Sequence, residues 1–206
     1  MAKKAKAAAK KAAKKPAPKK AAKPAAKNPA KASKPVKSAG SSGPSHGDFL
    51  AHAINHVKWS HDEFMKFTNG FTQQNATTIP HGHETHALWQ VGHLAHTYDW
   101  FGTVLGTSDG KCPEGYDKLF GGGSKPVDDP LAYPSWDDVK DEFGKARDRF
   151  IKLAANTKDA LGAPVGDTGG WITTKLQSLD RAAWHNGWHL GQISTVRKAL
   201  GMPKVY

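Results

Sequence analysis

AAWHNGWHLGQISTVRKALGMP, residues 182–203, is the stretch on which the fold turns. Leu190, Ile193, Val196 and Leu200 recur at three- and four-residue steps, the spacing of one face of an α-helix. Gly201, with Pro203 just beyond, is a stop signal. Carried upstream through Ala183, Leu179 and Leu176, the same period predicts a helix over 173–200. His185 and His189 stand four residues apart within it, so both imidazoles project from one face and are close enough to share a metal ion. The spacing alone also fits a helix-end cap or a satisfied core histidine, and a third ligand has to come from elsewhere.

Three more helical runs precede this one. Over 48–71, Leu50, Ile54, Val57, Phe64, Met65 and Phe67 mark an amphipathic helix. A second covers 84–105, with Leu88, Val91, Ala95 and the run from Tyr98 to Trp100 on its apolar side; Gly106 and the stretch 108–110 end it. Ser135 is an N-cap candidate with Asp138 three residues on, and Trp136, Val139, Phe143, Phe150, Ile151 and Leu153 carry a third helix to about Thr157. Residues 108–134 hold Pro113, Gly121, Gly122, Gly123, Pro126, Pro130 and Pro134, a composition that predicts a long crossover loop with no regular helix. The expected fold is all-α: a four-helix bundle with this loop between its second and third helices.

Composition separates a tail from this domain. Residues 1–46 contain fourteen lysines, no arginine and no acidic residue among Ala, Pro, Ser and Gly, and cannot build a core. Of the thirty basic residues, sixteen remain after these fourteen, against eighteen acidic ones, so the domain is close to neutral and the net +12 belongs to the tail. The expected organisation is a disordered basic tail and linker over 1–47 and a bundle domain over 48–206. The pI of 9.7 is therefore no argument for a nucleic-acid-binding fold. The tail itself has the composition of a linker-histone tail and suits salt-dependent, sequence-blind contact with nucleic acid or another polyanion. No apolar run of membrane-spanning length or secretory core is present, and Cys112 is the single cysteine, which together predict a cytoplasmic protein without a membrane partner, nucleoid-associated if the tail engages DNA.

Eleven histidines are available. His93, mid-helix between Gly92 and Leu94, is the natural third ligand, because an unpaired imidazole is costly to bury there and coordination satisfies one nitrogen. His96 and His86 are both read as structural, His96 alternatively as solvent-facing or as a partner to a ligand, and His81 and His83 as exposed loop residues. His52 and His56 form another i, i+4 pair on the first helix, where His56 or His61 is a candidate fourth ligand. Cys112, beside Pro113, reads as passive, and GGGS at 121–124 as a hinge or spacer. Asp99 and Asp180 are the acidic residues closest in sequence to the ligands, and spacing places neither in the site; Gln192 is a candidate for orienting a ligand.

At these residues the chain resembles the DinB-like (DNA-damage-inducible) superfamily of metal-dependent four-helix bundles. HALWQVGHLAHTYDWF, 86–101, is similar to its second-helix segment, with Trp89 four residues before His93. The last helix matches the pattern of a histidine, three residues, then His-x-Gly-Gln-Ile and Leu-Gly, on His185, His189, Gly191, Gln192, Ile193, Leu200 and Gly201. The first helix departs, with Trp59, Ser60, His61 where the family often has Trp-x-Asn. The resemblance implies a three-histidine site of His93, His185 and His189 for zinc, with nickel or iron as alternatives, water in the open positions, and frequently a homodimer. Some relatives are thiol-dependent transferases or isomerases, which implies a small-molecule substrate and a low-molecular-weight thiol as partner. Three neutral imidazoles leave a divalent ion an open position, which suits thiol transfer or hydrolysis alike; a binding module or sensor without turnover uses the same ligands.

Overall fold

Ser45 opens α1 (His46–Lys66): its hydroxyl accepts from the Asp48 amide while the Asp48 carboxylate accepts from the Ser45 amide 2.8 Å away, so the helix begins before the expected Asp48. The computed structural model describes residues 45–106, 111–157 and 161–206. The lysine-rich tail expected over 1–47 and the stretch 108–110 lie outside the described residues, apart from Ser45, His46 and Gly47. Three more long helices follow, α3 (Ala87–Leu105), α5 (Trp136–Asn156) and α6 (Lys175–Ala199), with two short ones, α2 (Gln73–Ala76) and α4 (Tyr116–Phe120). Among the described residues there is no strand, only an isolated bridge between Pro164 and Thr174. No helix among them is long and apolar enough to cross a membrane.

The helix ends follow local chemistry. Ser135 caps α5 as expected and Thr174 caps α6, each hydroxyl accepting from the amide three residues on. α6 ends in a Schellman motif: Gly201 takes φ 69°, its amide donates to the Lys198 carbonyl, and the Met202 amide donates to the Arg197 carbonyl. α1 stops at Lys66, short of the expected 71, because the chain turns through Gly70 at φ 82°; Phe67 and Phe71 stay buried beyond the helix end. The second long helix starts at Ala87 rather than 84, since His86 is itself the cap, its Nδ1 accepting from the Trp89 amide at 3.0 Å.

Side-chain pairings give the topology. α3 and α5 run parallel, with Tyr98 on Phe143 (5.5 Å between ring centroids) and Phe101 on Phe150 (6.0 Å). α1 and α6 are parallel too, since Asn186 donates to Ser60 and, further along both helices, Arg197 donates to the Phe67 carbonyl. Phe64 meets Phe143 and Asp62 meets Arg147, so α1 and α5 are antiparallel. Around the bundle the order is α1, α6, α3, α5, with directions up, up, down, down. A chain passing between parallel neighbours must travel the length of the bundle, which is why the connection from α3 to α5 is long.

That connection departs from expectation in one respect. It contains α4 and a 3₁₀ turn at Pro130–Ala132, because Gly115 and Gly121 flank α4 and Pro130 opens the turn, where its missing amide costs no hydrogen bond. The core is aromatic: Phe64, Tyr98, Phe101, Phe120, Phe143 and Phe150 are all fully buried, each contributing on the order of 1.5–3 kcal/mol. One ionic cluster lies beside it, where Arg149 bridges Asp99 at 3.0 Å and Glu142 at 2.7 Å.

Candidate metal centre

α3 delivers His93, and α6 delivers His185 and His189 one turn apart. Their ligand atoms lie within 4.8 Å of one another, and theirs is the one such group among the described residues. The Nε2 atoms of His185 and His189 are 3.1 Å apart, and the ring centroid of His93 is 5.1 Å from each of the other two. Two nitrogens bound to one tetrahedral zinc at about 2.0–2.1 Å stand about 3.3 Å apart, close to the separation seen. The Nδ1 atoms of His185 and His189 are buried without a hydrogen-bond partner, as is the side-chain Oε1 of Gln192 one turn further on.

His93 is held from behind. Its Nδ1 lies 2.7 Å from the carbonyl oxygen of Phe120. A carbonyl only accepts, so Nδ1 carries the proton and the Nε2 lone pair is left for the cluster. Trp89 stacks on the His93 ring, 4.6 Å between centroids and 7° from parallel. The Trp89 indole N–H donates to Ser124 at 2.8 Å, and the Ser124 hydroxyl donates to the Leu119 carbonyl at 3.0 Å. α4 approaches this closely because position 92 is glycine: a Cβ there would collide with the Phe120 ring. Gly121 likewise lets the chain leave α4 against the Asp117 carbonyl.

Burial sets the protonation of the cluster. It pushes His185 down to about 3 and His189 to about 2, with neighbouring imidazoles adding to both shifts. His93 is lowered as well, mainly by burial, against the opposing bond to Phe120. All three are neutral at ordinary pH, the state a metal requires of imidazole.

A cleft of about 300 Å³ reaches His93 and His185, its other walls including His96, Trp100, Thr168 and Trp171. Trp171 stacks on Trp100 at 5.5 Å and meets His185 edge-on at 6.3 Å. A second cavity of about 410 Å³ shares His96 and Trp100 with the first and contains Cys112. Burial, reinforced by Asp99, raises the Cys112 thiol, although the Arg149 guanidinium, a basic partner not visible in the sequence, lies 3.6 Å from its Sγ.

The remaining candidates lie elsewhere. His61 and His56 do not join the cluster. His61 is buried against Phe143, 4.1 Å between rings, where the aromatic core takes it, and exposed His56 stacks on Trp59 at the surface. His86 is spent as the α3 cap, His81 is exposed and His83 is half-buried. Asp99 is engaged by Arg149, and Asp180 is exposed. Phe120, Gly92 and Ser124 escape sequence reasoning, because their part depends on a five-residue helix docking across the chain; the glycines on either side of α4 were its one visible trace.

The family model of the DinB superfamily matches residues 56–193, a span that contains all three histidines. No curated protein matches the chain.

Proposed function

Since this chain belongs to the DinB superfamily, we propose that His93, His185 and His189 hold one divalent metal ion at the centre of a small-molecule enzyme. Zinc is the first choice, with nickel or iron as alternatives. The observation that carries the reading is the convergence of three neutral imidazoles, His189 buried and His93 and His185 half-buried, from two helices beside an open cleft. When bound, such an ion supplies Lewis acidity and lowers the pKa of a protic ligand beside it.

The chain's own residues do the rest. The Phe120 carbonyl fixes the His93 tautomer and ring orientation, and Trp89 closes off one face of that ring. Trp100 and Trp171 line the approach with apolar surface. Transfer involving a low-molecular-weight thiol and hydrolysis both draw on an anion generated in such a setting, and they are the two reaction classes proposed.

The test is turnover by the metal-loaded chain, offered thiols with an electrophilic acceptor and, separately, activated esters. Activity that vanishes on chelation and returns when the ion is restored supports the reading. Activity indifferent to chelation, or no activity with either class, contradicts it.

A further inference from the structure

Resting on the metal-site reading above, we propose that His96 is the proton-transfer residue of this site, taking the S–H proton of a thiol that enters the cleft. The cleft wall holds three kinds of group besides the ligands His93 and His185: hydroxyls, indoles and one imidazole. The hydroxyls are committed, Thr97 donating to the His93 carbonyl at 2.7 Å and Thr168 to the Ile172 carbonyl at 2.6 Å. An indole N–H donates and does not accept. His96 is thus the one cleft-lining side chain, among the described residues and apart from the ligands, able to accept a proton near neutral pH.

Its placement follows from the helix. Three residues beyond His93 on α3, it lies on nearly the same face, one turn along, and lines both the metal cleft and the second cavity. Neither ring nitrogen is committed to a hydrogen bond with a described residue, unlike His86, which is spent as a cap. Among the described residues, the charged and titratable groups that line the second cavity with it are Asp99 on its own helix, Asp117 and Tyr116 on α4, and Lys111, Cys112 and Glu114 of the connecting segment, with Arg149 of α5 holding Asp99. Asp117 and Asp99 both favour the protonated ring, while burial lowers its pKa overall, so the resting ring is free to accept. In the step itself the S–H bond breaks, its electron pair stays on sulfur, and the proton forms a new N–H bond on His96; the carboxylates of Asp99 and Asp117 steady the imidazolium.

The experiment uses the full chain loaded with cobalt, its metal content measured first, and follows the cobalt spectrum after rapid mixing with 2-mercaptoethanol. His96→Gln should keep the parent's metal content and resting spectrum yet develop the thiol-dependent spectrum roughly 100-fold more slowly. It should also lose the ionisation limb of the parent's pH–rate profile. Adding 2,6-lutidine, a base too hindered to ligate the ion, should restore the rate in proportion to its concentration, which loss of packing alone would not allow. A fully loaded variant with the parent's rate and pH profile overturns the proposal, as does a parent whose spectrum ignores thiol. A parent that takes up no cobalt overturns the metal-site reading itself, a separate and earlier failure.

Discussion

His93 Nδ1 and the backbone carbonyl oxygen of Phe120, twenty-seven residues later, stand 2.7 Å apart, so a five-residue helix in the crossover segment sets the tautomer of a histidine in the candidate site. Such outer contacts on a metal-ligating histidine are typically worth 10–100-fold in metal affinity. Gly92→Ala, which forces the Phe120 ring away, should therefore weaken zinc binding by about that factor while leaving the helical content unchanged. Competition titration against a chelator measures it; an unchanged affinity would separate Phe120 from the site.

His61 makes the fold acid-sensitive. Burial first, and Arg147 second, depress it to about 3 from an ordinary 6.5, with Nδ1 buried and unpartnered. Between those values the unfolded chain binds the proton and the folded one does not, so this contribution is complete above about pH 6.5 and drains away as the pH falls toward 3. Replacing it with phenylalanine, which suits the aromatic surroundings of Phe143 and Tyr98, should leave stability at pH 7 within about 1 kcal/mol. Below pH 6.5 the variant should lose stability more slowly, by up to about 1.4 kcal/mol per pH unit. Urea melts at several pH values would show parallel curves for parent and variant if His61 did not titrate in this way.

Arg149 holds two carboxylates that are mostly withdrawn from water, Asp99 and Glu142. Removing one partner from a fully buried pair costs about 3–5 kcal/mol. Because the Arg149 side chain keeps 23% of its exposure, Arg149→Met should cost less, on the order of 2–3 kcal/mol. Chemical denaturation reads this directly, and a loss within 0.5 kcal/mol would mean that solvent already screens the cluster.

The fourteen lysines of residues 1–46 lie outside the described residues, and their charge alone supports a prediction. The full chain should bind duplex DNA with an affinity that falls steeply with salt and ignores sequence, and deletion of 1–46 should abolish that binding, since the remaining domain is close to neutral. Retention of DNA by the truncated chain at moderate salt would place the contact on the bundle instead.

Helix periodicity made the four long helices legible, and Gly201 with Pro203 marked the end of α6 down to its Schellman bonds. The histidine trio was legible because i, i+4 spacing and an imidazole on an apolar helix face are both local signals. α4 was not, since five residues between Gly115 and Gly121 are too few to show a period. His61 was weighed as a ligand because spacing cannot tell which neighbour a helix's apolar side meets; Phe143, on a helix far along the chain, decides that. Likewise nothing local ties Asp99 to Arg149, or shows that α3 and α5 run parallel.

Whether His93, His185 and His189 hold an ion is decided by metal content per chain, measured by elemental analysis on protein purified without chelators or affinity metals. The parent should carry about one divalent ion per chain, and His93→Ala, His185→Ala and His189→Ala should each lose most of it, while His61→Phe keeps it. Full metal in all three alanine variants would mean that these histidines do not hold the ion.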